Sequence, residues 1–394
     1  MLPASIPSPD PVWSQIHLGP LTIHTYALCL LAGIAAAAYI TDRRLRARGA
    51  APGLALDIAM WAVPIGIVGA RIYHVLTHLG DFTGPGVDPW AWIRIWEGGN
   101  ALFGSLLGGA VGVWIGCRLT GLRFWSFADA LAPGLLAAQA IGRLGNYVNQ
   151  ELFGLPTTLP WGLEIRPDAP MFPDWADPGT LFHPLFLYEM IWNVIGIALL
   201  LTIERRVVRR NEALLADGGT PGAGLRWGRM FGLYLIWYGL GRSWLEAIRI
   251  DPTSDAPLGV PANIWTSGVA VLLGIVIVVV QGRRHPEPEP SVYQPGREPE
   301  DEDAEAVSEE AAEADAKDAK DVKDVKDDEA EADTADDAKD TDDAAGRVSA
   351  VPSKSTASKS TASESAVSKT SAPKSTTSEA PAEGTDATGS SDSR

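Results

Sequence analysis

The feature that most constrains this chain is the recurrence, through residues 1–285, of apolar stretches of about twenty residues. That is the length at which a helix crosses ~30 Å of hydrocarbon. The stretches fall near 20–40, 55–78, 98–118, 125–143, 185–203, 229–247 and 263–281. The expected fold class is therefore all-α: a polytopic membrane protein with about seven transmembrane helices. The fourth stretch is the least regular, being rich in Ala and Leu with Pro133 inside. Gly104, Gly108 and Gly112 recur every fourth residue in the third, the small-residue face that lets membrane helices approach closely. No basic residues precede the first stretch and no small-residue cleavage site follows it, so it reads as a retained span and not a cleaved signal peptide.

Arginine sets the direction. Arg43, Arg44, Arg46 and Arg48 follow the first span, and Arg118 and Arg123 separate the third and fourth. Arg205, Arg206, Arg209, Arg210 and Arg226 separate the fifth and sixth, and Arg283 and Arg284 follow the seventh. The alternate loops hold only Arg94, Arg166 and Arg249. By the positive-inside rule the N-terminus is expected outside and the C-terminus in the cytoplasm. Trp90, Trp92, Trp96, Trp161 and Trp175 then fit an outer aromatic belt.

The overall net charge of −17 belongs to one end of the chain. Residues 1–285 hold all fourteen Trp, twenty Arg, no Lys and nineteen acidic residues, and are close to neutral. Residues 286–394 carry thirty acidic against twelve basic residues and no Trp or Phe. A Pro/Glu run opens this tail, Lys-Asp repeats such as Asp318 to Asp327 continue it, and Ser/Thr/Ala/Lys repeats close it. So few apolar groups cannot offset the entropy of ordering a backbone, so disorder is expected there. Cys29 and Cys117 each sit in an apolar stretch and read as small core residues. C-x-x-C, H-E-x-x-H and P-loop patterns are absent from the sequence, and neither a metal nor a nucleic-acid partner is expected.

Ionisable groups within a span are costly, roughly 2.5–3.5 kcal/mol for Arg at a helix centre, and invite a functional reading. Three places stand out. The first is Gly142-Arg143-Leu144-Gly145-Asn146-Tyr147-Val148-Asn149-Gln150-Glu151-Leu152-Phe153-Gly154, at the outer end of the fourth span. Arg143 offers a planar fork suited to two phosphate oxygens. Asn146 and Asn149 can bond phosphate or ester oxygens, and Glu151 can orient an arginine. A polar helix terminus with an interfacial turn is the alternative. In the second place Tyr238, Arg242, Glu246 and Arg249 stand at spacings of four, four and three, on one helix face. An intrahelical Arg242–Glu246 salt bridge is the structural alternative there. The third is His183-Pro184 with Tyr188-Glu189, at the start of the fifth span; the His183 imidazole is a candidate for acid–base work, and a capping or packing role competes with catalysis. Tyr26 falls in the outer half of the first span, and Arg71, deeper in the second, reads as a tie between two spans. From the arginine-set orientation, Tyr26, Arg143, Glu151, His183, Arg242 and Glu246 all map to the outer side.

These residues resemble the prolipoprotein diacylglyceryl transferase family. The run Gly142-Arg143-x-Gly145-Asn146-Tyr147-x-Asn149-x-Glu151-x-x-Gly154 looks like its signature. Gly19-Pro20 with Tyr26, Gly69-Ala70-Arg71, His183-Pro184 with Tyr188-Glu189, and Tyr238-Gly239-x-x-Arg242-x-x-x-Glu246-x-x-Arg249 follow in the family's order over roughly residues 15–285. The resemblance implies a multi-pass enzyme of the bacterial cell membrane. It moves the diacylglyceryl group of phosphatidylglycerol to the lipobox cysteine of a prolipoprotein, giving a thioether and glycerol phosphate without a cofactor. It implies a transmembrane catalytic domain over 1–285; the acidic cytoplasmic tail over 286–394, expected to be disordered from its composition, lies outside the resemblance and looks like extensions of some actinobacterial members. It places Arg143 and Arg242 in a phosphate clamp, with Glu151 and Glu246 orienting them and Asn146 and Tyr26 fixing the headgroup. Asn149, Gly154, Tyr238 and His183 join the expected substrate-binding set.

One departure matters. Many members carry a His-Gly-Gly segment early in the third span, the His serving as general base, whereas here Phe103 falls at that position. The base is then another group, such as His183 or a tyrosine, or the arginine field drives thiol deprotonation. The rival class is a transporter or channel for an anionic solute. It calls for midplane polarity and an internal repeat; here polarity is concentrated on one side and no clear repeat joins the halves.

Overall fold

A computed structural model describes residues 5–298 except Pro20, 84–87, 89, 96–97, 100 and 251–254, and also 312–313 and 316. Trp96, Pro20 and almost all of the acidic tail beyond 298 therefore lie outside the described residues.

A short 3-10 turn and the hairpin β1 (Gln15–Leu18) and β2 (Leu21–His24) lead into α1 (Thr25–Arg46). Then come α2 (Leu54–Thr77), the single turn α3 (Leu79–Phe82), α4 (Leu102–Thr120) and α5 (Phe124–Asn149). The two-residue strands β3 (Leu163–Glu164) and β4 (Leu181–Phe182) pair in the loop before α6 (Leu185–Ala216). The chain continues through α7 (Arg229–Ala247), the pair β5 (Asp255–Ala256) and β6 (Val260–Pro261), and α8 (Ala262–Arg284). Each of the seven expected spans thus corresponds to a long helix. Six of them, all but α7, are long and apolar enough to cross a membrane, and the molecule is a polytopic helical membrane protein. α7 is 19 residues long, about 28 Å at 1.5 Å per residue, and carries Arg242 and Glu246.

The expected boundaries shift at three points. Residues 21–24, assigned to the first span, form a strand. α5 does not stop at Arg143 but runs through the polar signature to Asn149. α6 continues past residue 203 for more than three further turns to Ala216, carrying Arg205, Arg206, Arg209 and Arg210 on its extension.

α5 is the centre of the bundle. It packs against α1, α6 and α7, and 56% of its apolar window is buried against 17–28% for the other five candidate spans. The outward faces are apolar instead: Leu106, Leu107, Val269 and Leu272 are all more than 60% exposed, as side chains solvated by lipid should be. The four-residue glycine face of α4 makes the close approach its spacing predicted, and the partner is α2. A β-carbon at Gly69 would come within 2.5 Å of Gly104 O, one at Gly108 within 2.5 Å of Ile65 O, and one at Gly112 within 2.6 Å of Trp61 O. Such backbone contact substitutes for a hydrophobic driving force that lipid does not supply.

Asp129 supports this core from a buried position on α5. Its carboxylate accepts from Gly228 N at 2.7 Å and Phe231 N at 3.0 Å. The N-cap of α7 is Gly228, without a side chain of its own to cap, so Asp129 satisfies the orphan amides from another helix.

Two sequence expectations need correction. Arg71 does not tie two spans together. Its guanidinium donates to backbone carbonyls of Ala91, Trp92, Gly98 and Gly99 at 2.6–3.1 Å, holding the loop between α3 and α4. The ordered chain also does not end at 285. Val292 and Tyr293 are buried in one cluster with Leu45, Ile58, Cys117, Leu122 and Phe127. Arg123 N donates to Val292 O at 2.8 Å, and Gln294 N to Gly121 O at 2.8 Å. Two apolar side chains in a polar segment are enough to seat residues 286–298 once the helix ends offer them a pocket.

Candidate functional site

The site begins where α5 ends. The helix presents Arg143 and Asn146 one turn apart, so their side chains meet on one face: Arg143 Nη1 donates to Asn146 Oδ1 at 2.8 Å. The helix then stops at Gln150, whose backbone is left-handed at φ 53°. Burial of its amide offsets that strain. Gln150 Oε1 accepts from Arg166 N at 3.2 Å and Nε at 3.1 Å, while Nε2 donates to Ser8 Oγ. The turn returns Glu151 over the last helical turn, where it accepts from Asn146 Nδ2 at 2.9 Å and Asn149 Nδ2 at 3.5 Å.

Glu151 was expected to orient an arginine, and the geometry corrects this: it holds the two asparagines. Arg143 is held by Glu189, on the first turns of α6. Arg143 Nη2 donates to Glu189 Oε1 at 2.6 Å, and the Glu189 residue is 8% exposed. Sequence reasoning noted Glu189 without giving it this role; a lone carboxylate inside an apolar span was the available signal.

The second arginine comes from α7. Arg242 Nη2 lies 3.2 Å from Glu246 Oε2, and Arg249 Nη1 lies 3.8 Å from the same oxygen. Asn263 at the start of α8 donates to that oxygen at 3.1 Å. The Glu246 side chain is fully buried, whereas those of Arg143 and Arg242 keep 22% and 19% exposure. In the sequence Asn263 precedes an apolar run without any distinguishing spacing, so no pattern marks it.

Arg143, Asn146, Glu189, Arg242 and Arg249 line one cleft with Phe186 and other apolar side chains, about 10 Å³ in volume, the size of a single water. Glu151 stands behind Asn146 together with Asn149, and Glu246 behind Arg242 and Arg249, while Gly154, His183, Tyr238 and Tyr26 are not among the described lining residues. Tyr26 packs on Gly145, where a β-carbon would lie 2.6 Å from the ring. Tyr238 shares its electrostatic neighbourhood with Arg143, Glu189 and Arg242. His183 turns its ring to Tyr188, with Nδ1 3.1 Å from the hydroxyl, and Trp161 Nε1 donates to that hydroxyl at 3.0 Å. Gly154 is a crossing point. Its N–H donates to His183 O at 2.9 Å, and a β-carbon there would fall 2.7 Å from His183 Cβ and 2.8 Å from Ile248 O. It therefore seats the chain leaving α5 between the start of α6 and the end of α7.

Two guanidiniums, each oriented by its own buried carboxylate, face one cleft at one end of a helical bundle, an arrangement with the charge and the donors to hold an anion in a membrane protein. A model of the family described as prolipoprotein diacylglyceryl transferase matches residues 12–280. The phosphatidylglycerol–prolipoprotein diacylglyceryl transferase of Leifsonia xyli subsp. xyli is 59% identical over 303 residues, 75% of this chain and 86% of that protein. Proteins of the same name from Frankia alni and Bifidobacterium adolescentis are 45% identical over 292 residues and 44% over 280. They are covered to 71% and 79% of their length and cover 74% and 69% of this chain. The chain belongs to the prolipoprotein diacylglyceryl transferase family. It is a transferase and a multi-pass protein of a bacterial membrane.

Proposed function

We propose that this chain transfers the diacylglyceryl group of phosphatidylglycerol to the thiol of a prolipoprotein lipobox cysteine. Arg143 and Arg242 clamp the phosphate. The observation that carries the reading is the convergence of these two arginines on one cleft, each backed by a separate buried carboxylate. In the reaction the cysteine sulfur attacks the glycerol carbon that bears the phosphate ester. The S–C bond forms as the C–O bond breaks, the thiol proton is lost to solvent, and glycerol phosphate departs with the electron pair. Negative charge on the phosphate grows from one towards two in this step. Preorganised guanidiniums away from bulk water stabilise that change more than they stabilise the bound lipid. The same positive field favours the thiolate, whose unperturbed pKa is about 8.5.

Binding has a consequence for the cleft. With room for about one water, it accepts a phosphate only if the guanidiniums turn part of their fork from Glu189 and Glu246 to the ligand. Each Arg has five N–H donors, so exchange of one or two leaves the orienting carboxylate engaged. Asn146, steadied by Glu151, and Tyr26 then face the glycerol headgroup. With seven spans, the N-terminus outside and the C-terminus cytoplasmic, as the arginine distribution implies, this cleft lies at the outer leaflet, where a lipobox cysteine emerges.

The test is incubation of the purified protein with labelled phosphatidylglycerol and a lipobox peptide in detergent. A thioether-linked lipid peptide is expected. Its absence under conditions where the Leifsonia xyli relative forms it would overturn the proposal.

A further inference from the structure

A second arginine cluster lies at the other end of the bundle. Ser126 and Arg143 are separated by 17 positions of α5, about 26 Å along its axis. Around the Ser126 end, Arg44 and Arg48 at the exit of α1, Arg205 and Arg209 on the extension of α6, and Arg226 before α7 line a cavity of about 380 Å³. Glu204 and Glu212 are the only carboxylates among the described lining residues.

Glu204 faces three guanidiniums. Arg44 takes both its oxygens at 2.8 and 3.1 Å, Arg48 Nη2 lies at 3.3 Å, and Arg226 Nη1 at 3.6 Å. The last separation is too long for a hydrogen bond. Arg226 Nη1 is a buried donor with no acceptor in the described structure, a costly condition for a charged group. The Arg48 side chain is only 7% exposed. Burial, with Arg226 and Arg44 alongside, pulls its pKa down to about 10. Positive charge is thus in excess inside a concave site. A topological signal alone does not call for this arrangement: arginines that only oriented the chain would be solvated, as Arg205, Arg206, Arg209 and Arg210 on the α6 extension are, whereas the side chains of Arg44 and Arg48 are only 14% and 7% exposed.

We infer that this cavity is a binding site for a phosphate-bearing anion, in which the ligand's oxygens supply the acceptor that Arg226 lacks. Several guanidinium forks around one concavity match the geometry of phosphate. Ala47 and Val208 in the lining suit the glycerol portion of a membrane lipid headgroup, and free phosphate presents the same oxygens.

Purified full-length protein in a maltoside detergent is titrated separately with inorganic phosphate and with short-chain phosphatidylglycerol. Binding is read as the shift in melting temperature and as retained ligands by native mass spectrometry. Arg209→Gln/Arg226→Gln is expected to weaken phosphate-ligand binding at least tenfold and to retain one lipid fewer. Arg206→Gln/Arg210→Gln, an equal charge change at α6 positions that do not line the cavity, stays within twofold of the unmodified protein. An effect with both ligands identifies a site open to free anions, and an effect with the lipid alone assigns it to a headgroup. Equal binding by the two double variants overturns the inference, as does an absence of saturable binding. Arg226→Lys, which keeps the charge and loses the fork, gives the same reading with a smaller loss if the double Gln variant fails to fold. None of these measurements depends on transfer activity.

Discussion

Arg143 and Glu189 meet at 2.6 Å across the α5–α6 interface, 46 residues apart in the chain. This contact, more than any spacing within the signature run, fixes where the first guanidinium points. Replacing Glu189 by Gln keeps the size of the side chain and removes the charge. We expect kcat to fall at least tenfold with a smaller change in KM, because misorientation acts mostly in the transition state. An E189Q enzyme with unaltered kcat would show that Arg143 needs no carboxylate partner.

Arg143→Ala is expected to lower transfer by about 10²–10³-fold, the range for loss of one preorganised stabilising donor, while the protein still inserts in the membrane. Arg143→Lys should rescue little, since a point charge cannot reach Asn146 and Glu189 together. Near-normal turnover in the labelled-lipid assay by either variant would remove Arg143 from the site.

Gly154→Ala sets a β-carbon against two backbone-linked neighbours, His183 Cβ and Ile248 O. Neither is the end of a flexible side chain. The expected cost is about 1–3 kcal/mol, seen as a lowered melting temperature together with loss of transfer. An unchanged melting temperature would mean that the crossing has slack.

Asp129→Ala removes the acceptor for Gly228 N and Phe231 N and leaves buried amides unpaired. Stability should fall by about 1–3 kcal/mol per unsatisfied group, while KM for the lipid stays within twofold in the surviving folded protein. A change in KM without a change in melting temperature would contradict a purely capping role.

Truncation after Glu298 should leave transfer largely intact. Truncation after His285 strips Val292 and Tyr293 from the core cluster around Leu45 and Phe127. It should cost several kcal/mol, by analogy with ~3–5 for loss of a buried aromatic side chain. Equal melting temperatures for the two truncations would show that residues 286–298 add nothing to the fold.

The sequence by itself determined the class of fold, because a twenty-residue apolar run satisfies its own backbone in lipid only as a helix. It also marked the close-packing face of α4, since glycines four apart lie on one helical face wherever the helix is put, although that α2 meets this face came only from the packing. It singled out Arg143, Asn146, Arg242 and Glu246 because a polar group in such a run stands out against its surroundings. Partners drawn from elsewhere in the chain were decided only by tertiary structure. Glu189, Asn263, the reach of Asp129 to α7, the seat of Gln150 between Ser8 and Arg166, and the docking of Tyr293 all join residues separated by between 16 and 242 positions. Helical periodicity carries information over one or two turns, and beyond that the neighbour of a side chain is set by how whole helices pack. Arg143 and Arg242 could therefore be singled out from the sequence as a candidate anion site. Which carboxylate holds each one depended on α5 lying against both α6 and α7.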